Sequence, residues 1–358
     1  MRITEIITKK TSYKRRKVFK IAFTQSSYSY GVGVKIVTDN GIYGLGEAVT
    51  LPFVTGETVD GILAAIEFMK PVLLGADPED IEDIHNRMDR MINANSSAKA
   101  AIDIACYDIM GKHKGLAVHR LLGATENSLI TDVTLGIDTP EKMAEEALFR
   151  LKQGFRFLKI KGGISAEDDL VAIKAIRDAV GDDIELRVDF NQGYTLQTAE
   201  TVLKKLPDLG VVEAEQPLPA WDLEGMAQLK KVSPVPILID EGVHSPRQAH
   251  IACQKEACDL VNIKLMKCGG IFPALQISDI AKSYGKKCIV GCMSESRIGI
   301  SAGAAVVTAK KDNMDVVDLD SFLLFADGQD SVSGGFEVVG DKITLSEKSG
   351  YGFDTYEF

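Results

Sequence analysis

Five residues that could carry acid–base chemistry stand at regular intervals along the chain, each following a short apolar run. They are Lys161, Asp189, Glu215, Asp240 and Lys264, and successive members are 28, 26, 25 and 24 residues apart. Three carboxylates that converge on one point repel each other unless a hard cation joins them. Because no histidine or cysteine clusters with them, their oxygen atoms favour magnesium (Mg²⁺), with manganese (Mn²⁺) as the alternative. The spacing therefore predicts two amines beside a divalent metal ion.

This combination suits the removal of a proton from the carbon next to a carboxylate. Such a proton is very weakly acidic, and a divalent ion bound to the carboxylate oxygens stabilises the enediolate that forms. One amine removes the proton from one face of the carbon, and the other returns a proton to the opposite face. Lys159 shares a strand face with Lys161, and we expect its positive charge to favour the neutral form of Lys161. The residues predict inversion at one carbon.

Eight short apolar runs between about residue 130 and residue 320 must position these side chains, and they alternate with helical patterns. The runs are LITDVTL, FLKIK, IELRVDF, VVEAEQP, ILIDE, LVNIKLM, KCIVG and VVDLD. Eight strand–helix units that close on themselves form a parallel barrel with its active site at the C-terminal ends of the strands. Lys161 then ends the second strand and Lys264 the sixth, so the two amines should face each other across the mouth.

An open doubly wound sheet is the alternative to the barrel. Such a sheet normally carries a glycine-rich phosphate loop after its first strand. The nearest candidate, GIYGLGE at Gly41 to Glu47, lacks the third glycine and the following helix. The barrel is therefore the favoured prediction.

The regions on either side of the predicted barrel, residues 126–325, have different patterns. Residues 1–125 combine period-2 runs, an Asn40-Gly41 hairpin signal and two helical stretches, which predicts an α+β capping domain. Residues 326–358 are rich in glycine and serine and alternate in polarity, so they predict strands. Because strands cannot extend a closed barrel, we expect this tail to return to the capping domain.

The bulk properties exclude several classes of protein. A net charge of -10 would repel phosphate backbones, so we expect no nucleic-acid partner. No run approaches the length of a membrane span, and the first residues lack the apolar core of a secretion signal. The six cysteines are scattered without CxxC pairs, which indicates reduced thiols and a cytoplasmic location.

Five segments resemble the enolase superfamily, specifically its muconate-lactonizing subgroup, and the resemblance spans nearly the whole chain. The segments are KIKGG (159–163), RVDFNQGY (187–194), EQPLP (215–219), DEGV (240–243) and NIKLMKCGGI (262–271). The resemblance implies a modified (β/α)7β barrel whose capping domain supplies specificity loops. It also implies that Asp189, Glu215 and Asp240 bind magnesium and that Lys161 and Lys264 are the opposed acid/base pair. We expect Asn191 and Glu241 to support the metal ligands, and homo-oligomers are common in this family.

The last predicted strand separates the enzymes of this subgroup, because it carries the DLDS segment. Dipeptide epimerases resemble this segment, and their two acidic residues, here Asp318 and Asp320, hold the free amino terminus of a dipeptide. An acidic pair suits an ammonium group and suits a dicarboxylic muconate poorly. A muconate cycloisomerase or an o-succinylbenzoate synthase-like enzyme is the alternative. A catalytically silent barrel that only binds ligands is a further one, although the resemblance leaves all five key residues intact.

Side-chain specificity should depend on loops at the barrel mouth. Members of the family that act on Ala-Glu often carry arginine where Thr24 stands, and those that take cationic dipeptides often carry an acid where Leu51 stands. Since neither is present, we predict an apolar or aromatic residue at the inverted position, with an L-Ala-D/L-Glu epimerase as the alternative and Arg297 as the cation that could serve it. Besides Lys159, Asp318 and Asp320, the candidate substrate-binding residues are Phe19, Thr24, Phe53, Met293, Ser294 and Ile298.

Overall fold

The computed structural model describes residues 1–330 and 332–356. The chain begins with an antiparallel sheet of three strands in sequential order, β1 (Ile3–Ile21), β2 (Thr24–Thr38) and β3 (Tyr43–Val49). The predicted hairpin at Asn40-Gly41 is confirmed, since it joins β2 to β3 and Gly41 has a φ of 81°, which glycine adopts without strain. Five helices follow: α1 (Pro52–Thr55), α2 (Val59–Leu73), α3 (Ile81–Met91), α4 (Ser96–Lys114) and α5 (Val118–Leu121).

One face of this sheet packs closely on α4. Val32, Val34 and Ile36 alternate along β2 and are completely buried, as expected for a strand with one face in a core. Gly44 and Gly46 bring β3 against the helix backbone, because a Cβ atom at either position would lie 2.0 Å from a carbonyl oxygen of α4. The N-terminal region thus has its own core and is the predicted α+β layer.

The middle of the chain is an α/β barrel in which strands and helices alternate as predicted. Its elements are β4 (Ser128–Ile130), β5 (Val133–Leu135), α6 (Pro140–Lys152), β6 (Phe157–Lys161), α7 (Ala166–Val180), β7 (Glu185–Asp189), α8 (Leu196–Leu203), β8 (Val211–Glu215), α9 (Leu223–Val232), β9 (Ile237–Ile239), α10 (Pro246–Gln254), β10 (Leu260–Ile263), α11 (Leu265–Cys268), α12 (Ile271–Ser283), β11 (Lys287–Val290) and α13 (Arg297–Ala309). Strands β5 to β11 form one parallel sheet in sequential order.

The eighth predicted strand closes this sheet through isolated bridges instead of a regular strand. Asp318 pairs with Gly291 after β11, and Val317 pairs with Thr131 just before β5. The first predicted run, LITDVTL, is also two strands, because β4 pairs with the C-terminal tail whereas β5 pairs with β6. Short, irregular contacts of residues 317 and 318 with both edges of the seven-stranded sheet therefore close the ring.

Polar caps start the barrel helices at the mouth, directly after the loops that leave the strands. Side chains of Thr139, Ser165, Thr195 and Ser245 each accept a hydrogen bond from a backbone N–H in the first turn of the following helix. These caps fix where each loop ends.

The tail forms four short strands: β12 (Val332–Gly334), β13 (Phe336–Val339), β14 (Lys342–Leu345) and β15 (Phe353–Tyr356). Strand β14 pairs with β13 on one side and with β4 on the other, and β12 pairs with β15. Tyr351 also contacts the N-terminal region, because its backbone N–H donates to Asp108 and its hydroxyl donates to Ile104 on α4. The exact domain boundaries remain a prediction. In the described part of the chain, every helix is too short or too polar to cross a lipid bilayer.

Candidate active site

The strand ends bring the three predicted carboxylates together. Asp189 and Glu215 are the last residues of β7 and β8, and Asp240 follows β9 by one residue. One oxygen atom from each lies within 4.8 Å of the others, and all three side chains are buried. The predicted convergence is confirmed. Buried oxygen atoms at this spacing fit a hard divalent cation.

The two predicted amines enter one cavity from opposite parts of the ring. Lys161 ends β6, and Lys264 follows β10, four strands further on. Lys161 Nζ lies 2.5 Å from Asp189 Oδ2, and Lys264 Nζ lies 2.8 Å from Asp240 Oδ2. Both side chains line a cavity of about 330 Å³. Each amine therefore stands beside a different carboxylate of the cluster.

Lys159 is buried inside the barrel among acidic groups. Its Nζ lies 2.7 Å from Glu215 Oε2, 3.1 Å from Asp189 Oδ2 and 2.7 Å from Asp318 Oδ2. Burial alone would lower the pKa of Lys159, but Asp318, Glu215 and Asp189 together raise it well above its usual value. Lys159 is therefore a permanent cation that contacts carboxylates, whereas the sequence suggested contact with substrate.

The neighbouring lysines keep two of the three carboxylates ionised. Burial alone would raise the pKa of Asp189, yet Lys161 and Lys159 lower it to about 2. Lys264 and Lys267 likewise overcome burial at Asp240, whose pKa falls well below its usual range. The pKa of Glu215 is raised to about 8 by burial and by Asp189. The cluster thus holds negative charge even though it is closed off from water.

Two residues of the site were not identified from the sequence. Lys267 Nζ lies 2.5 Å from Asp240 Oδ1 and donates to the carbonyl of Asn262 at 3.0 Å. Asn262 Nδ2 donates to Glu215 Oε1 at 2.8 Å. A signal was available for Asn262, because it stands two residues before Lys264 and so shares its face of β10. Both residues fix the orientation of a carboxylate in the cluster.

Asn191 and Glu241, which were expected to support the cluster, lie beside it in the cavity wall. The Asn191 backbone N–H donates to Asp189 Oδ1 at 2.9 Å, and its Nδ2 donates to Glu241 Oε1 at 3.2 Å. Burial, with Asp240 nearby, raises the pKa of Glu241 to about 7. Asn191 Oδ1 and Glu241 Oε2 are buried and lack a hydrogen-bond donor in the part of the chain that the structure describes. Such unpaired oxygens beside three carboxylates further fit a bound cation.

Asp318 and Asp320, the acidic pair of the DLDS segment, lie next to the carboxylate cluster. Asp318 Oδ2 contacts Lys159, whereas Asp320 Oδ2 accepts a hydrogen bond from the Thr134 backbone N–H at 2.6 Å. Cys292 Sγ, which lines the cavity, lies 3.7 Å from Asp320 Oδ1. Both aspartates are 3% exposed. Neither aspartate is among the residues that line the cavity, and Asp320 stands behind Cys292.

The N-terminal region covers the cavity with aromatic and apolar side chains. Five of the predicted specificity residues, Phe19, Thr24, Phe53, Met293 and Ser294, are among its lining. Ile21 and Phe23, from the same loop as Phe19 and Thr24, also line it, as do Arg15, Tyr28 and Tyr30, which sequence reasoning did not identify. They come from β1, β2 and the turn between them, whose docking on the barrel no local pattern predicts.

Ile298 and Arg297 lie outside this cavity. Both are in the first turn of α13, which directs Ile298 into the hydrophobic core, where it is 3% exposed. Arg297 Nε donates to the carbonyl of Gly334 at 2.9 Å, and its guanidinium stacks 3.9 Å from the Phe336 ring centroid. The expectation that these residues face a substrate is therefore replaced by a packing role for each.

A larger groove of about 1010 Å³ lies between α3 and the helices α10 and α12. His85 and His244 line it, and Lys267 borders it. Neither Lys161 nor Lys264 is part of its lining, whereas both lysines and Asp240 of the carboxylate cluster line the smaller cavity. The smaller cavity is therefore the candidate active site, because it alone of these two joins the amines to the acidic cluster.

Comparison with known proteins gives two family matches. The description "Mandelate racemase / muconate lactonizing enzyme, N-terminal domain" matches residues 3–123, and "Enolase C-terminal domain-like" matches residues 142–357. Together they cover both regions that form the cavity.

Similar individual proteins are epimerases and racemases. An L-Ala-D/L-Glu epimerase of Clostridium acetobutylicum is 37% identical over 99% of each chain. An N-succinyl-L-Arg/Lys racemase of Bacillus cereus is 41% identical over 87% of this chain and 85% of its own. The crystal structure of a dipeptide epimerase from Enterococcus faecalis, complexed with Mg and the dipeptide L-Leu-L-Tyr, is 39% identical and superposes with a TM-score of 0.96 over 99% of each chain.

Proposed function

From the premise that the chain belongs to the mandelate racemase / muconate lactonizing enzyme family of the enolase superfamily, we propose that it is a dipeptide epimerase. As an isomerase, it would invert the α-carbon of the C-terminal residue of an L,L-dipeptide. One observation carries the proposal: Lys161 and Lys264, four strands apart, line one cavity beside the same carboxylate cluster. That placement suits proton transfer on two faces of one carbon.

The two lysines divide the proton transfers between them. Lys161, in its neutral form, would take the α-proton of the L residue, and protonated Lys264 would return a proton from the opposite side. The reverse reaction exchanges the two roles. Burial lowers and Asp240 raises the pKa of Lys264, and the net effect is a raised pKa that suits a proton donor.

Asp189, Glu215 and Asp240 would hold the metal ion, with magnesium preferred to manganese. When bound, the ion supplies positive charge that stabilises the substrate carboxylate after the α-proton has left. Asn262 and Lys267 hold two of these carboxylates in place through the contacts described above. Lys159, inside the barrel, offsets part of the negative charge of Asp189 and Glu215. The metal ion therefore does not have to neutralise all of the negative charge of the cluster.

The amino end of the dipeptide would lie toward Asp318 and Asp320. An ammonium group there gains from two nearby carboxylates, one of which already contacts Lys159. The amino end would then lie near the end of β11 and the bridged segment at Val317 and Asp318, and the carboxylate end would lie at the metal cluster. This orientation places the C-terminal α-carbon between the lysines.

The inverted residue is proposed to be apolar or aromatic. Phe23 and Phe53 form an edge-on pair at the cavity rim, with ring centroids 4.7 Å apart, and both rings are more than two-fifths exposed. An apolar side chain that covers these rings would remove apolar surface from water. The alternative, an acidic residue as in an L-Ala-D/L-Glu epimerase, lacks support from Arg297, whose guanidinium is engaged by the C-terminal strands.

Two further properties, location and assembly, are also proposed. A cytoplasmic location is supported by the six cysteines, all of which are free thiols. Assembly into a homo-oligomer is expected from the family resemblance. Both can be checked on the purified protein and in fractionated cells.

The test is hydrogen exchange with a pooled dipeptide library in deuterated water. With magnesium present, we expect substrates to gain about one dalton at the α-carbon of the C-terminal residue, and EDTA should stop the gain. L-Leu-L-Tyr and L-Ala-L-Glu serve as single-substrate arms for the apolar and acidic alternatives. Exchange in EDTA would contradict the metal site. No exchange with any dipeptide, together with turnover of a muconate, would favour a cycloisomerase.

A further inference from the structure

Arg15 is a buried cation in the wall of the active-site cavity. It lies on β1 and is 8% exposed, and its side chain lines the cavity between Phe19 and Ser294. Its Nη2 donates to Ser294 Oγ at 2.6 Å, and its guanidinium carbon lies 5.3 Å from the Phe19 ring centroid. Its Nε is buried and has no hydrogen-bond acceptor among the described residues. A guanidinium carries five N–H donors, and Ser294 Oγ accepts from one of its nitrogens.

The surroundings of Arg15 do not neutralise it. In residues 1–330 and 332–356, no carboxylate lies within ion-pair distance of its guanidinium, whereas neighbouring Arg16 pairs with Asp327 at 2.7 Å. Burial lowers the pKa of Arg15, and Asp320 is the acidic group that acts most strongly against this effect. Burying a charge that lacks a partner is costly. A partner supplied by a ligand would remove that cost.

We propose that Arg15 binds a substrate carboxylate on the amino side of the inverted carbon. This rests on the proposed function, which places the amino end of the substrate toward Asp318 and Asp320. Arg15 lies at that end, because it contacts Ser294 after β11, and Asp320 is its strongest acidic neighbour. The carboxylate would come from an acidic first residue, Asp or Glu, or from a dicarboxylic acyl group on the amino nitrogen.

The charges at this end of the cavity favour such a substrate. Lys159 contacts Asp318, and Arg15 acts on Asp320, so each member of the acidic pair already has a cationic neighbour. An ammonium group alone would bring a third positive charge. An acidic first residue satisfies N–H donors of Arg15 and leaves the acidic pair to its ammonium group. A dicarboxylic acyl group satisfies the donors without adding a positive charge, because the acylated nitrogen is neutral. Arginine suits this task, because its planar donors match a carboxylate with two parallel hydrogen bonds.

The experiment compares substrates that differ only in charge. L-Glu-L-Leu is paired with L-Gln-L-Leu, and N-succinyl-L-Leu is paired with its terminal amide. L-Leu-L-Glu and L-Leu-L-Gln form a control pair with the charge at the other end. Deuterium incorporation gives kcat/KM for each substrate with the wild-type chain, Arg15→Leu and Arg15→Lys. The matched control variant is Arg16→Leu, because Arg16 carries the same group on the outside of the barrel, bonded to Phe325 and Asp327.

We expect the wild-type chain to prefer the acid of at least one amino-side pair by about 10- to 100-fold, the range of one charged hydrogen-bonded contact. The pair that shows the preference identifies the source of the carboxylate. Arg15→Leu should bring that ratio close to one, Arg15→Lys should retain part of it, and Arg16→Leu should leave it as in the wild type.

Ratios near one in the wild type for both amino-side pairs would overturn the proposal, and so would a preference that Arg15→Leu retains. An Arg15-dependent preference only in the L-Leu-L-Glu pair would also overturn it and move Arg15 to the C-terminal subsite. If Arg15→Leu does not fold, the wild-type ratios and Arg15→Lys still decide. Exchange of L-Leu-L-Tyr without any acid preference rejects the role of Arg15 alone, whereas no exchange with any substrate rejects the proposed function.

Discussion

The barrel holds a buried cluster of charged residues near each end of its strands, and the two clusters are built differently. At the closed end, a single arginine contacts both acidic side chains. Arg187 lies 2.6 Å from Glu213 and 3.1 Å from Asp132, and it donates a hydrogen bond to the carbonyl of Val316 at 3.0 Å. At the mouth, three carboxylates converge and several lysines surround them. The first cluster joins a single arginine to two carboxylates, whereas the second gathers three carboxylates and several lysines around one point.

The ionisation of the carboxylates separates the two clusters further. Burial raises the pKa of Glu213 despite Arg187, and it raises the pKa of Asp132 well above its usual range. At the mouth the lysines overcome burial, and the pKa of Asp240 falls well below its usual value. What marks the mouth is ionised carboxylates that share one point and face a cavity with two amines.

The largest expected effect comes from removing either amine at the mouth. Lys161→Ala and Lys264→Ala should each lower the rate of epimerisation by about 10³-fold or more, because each removes one of the two proton carriers. Each variant should still exchange the α-proton of one stereoisomer, the one whose proton faces the remaining lysine. Chiral chromatography and deuterium incorporation measure the two outcomes. Lys174→Ala, on the surface of α7, is the control.

Equal loss of exchange with both stereoisomers in both single variants would contradict the division of roles. It would show that the two lysines act on the same face or through a shared step.

A change in the closed cluster should affect stability instead of catalysis. Arg187→Met leaves Glu213 and Asp132 buried without a cation, and breaking a buried pair in this way destabilises by about 3–5 kcal/mol. Urea denaturation measures the loss, and kcat of the folded fraction should stay within about twofold of the wild type. A large fall in kcat with unchanged stability would show that the two clusters are coupled in function.

Glu213 and Glu215 give a matched pair of substitutions, because both are buried glutamates on the same face of β8. Glu213 belongs to the cluster at the closed end, and Glu215 belongs to the cluster at the mouth. At a magnesium concentration about 100 times its Kd, the wild type should gain about 2.7 kcal/mol in free energy of unfolding. Glu215→Gln should lose most of this gain, and Glu213→Gln should keep it. Thermal or urea denaturation with and without magnesium gives the gain for each variant. Equal gains in both would place the ion elsewhere.

The mouth was largely predictable from sequence, because one rule of spacing located it. A charged residue that follows an apolar strand at intervals of one strand–helix unit must lie on the same rim, which placed Lys161, Asp189, Glu215, Asp240 and Lys264. Neither the closed cluster nor Arg15 followed from this rule. Arg187 and Glu213 stand inside strands, where a charge gives no sign of which partner it meets. Arg15 lies on a 19-residue strand, and its position depends on how that strand docks on the barrel.

The errors came from residues in a helix that begins at the mouth. Ser294 and Ile298 are four residues apart, and both were predicted to lie in a loop that contacts the substrate. In the structure Ser294 precedes α13 and lines the cavity, whereas Ile298 is inside the helix and faces the core. Successive residues of a helix point in different directions, so a boundary error of a few residues changes which side chains face a ligand.

Glu47 extends the comparison to a buried carboxylate that has no ion pair among the described residues. Its substitution should change the free energy of unfolding by the smallest amount of the changes considered. It lies on β3, and its Oε1 accepts a hydrogen bond from the Gly299 backbone N–H at 2.6 Å, which ties the N-terminal sheet to α13. Burial raises the pKa of Glu47 from 4.5 to about 8, and the nearby Glu295 and Asp330 add to the increase. Because the folded form holds this proton more tightly, the stability it contributes is present below pH 4.5 and is lost as the pH rises toward 8.

Glu47→Gln keeps an acceptor for Gly299 and removes the titration. Between pH 6 and pH 7, the wild type should lose about 1.4 kcal/mol more than the variant in free energy of unfolding, which is the effect of one proton per pH unit. Urea denaturation of both proteins at the two pH values measures the difference, and buried groups common to both, such as Glu241, cancel. Parallel loss in the two proteins would mean that Glu47 is already ionised at pH 6. A buried carboxylate would then remain charged here without a lysine, and the contrast between the two ends of the barrel would no longer depend on the cations at the mouth.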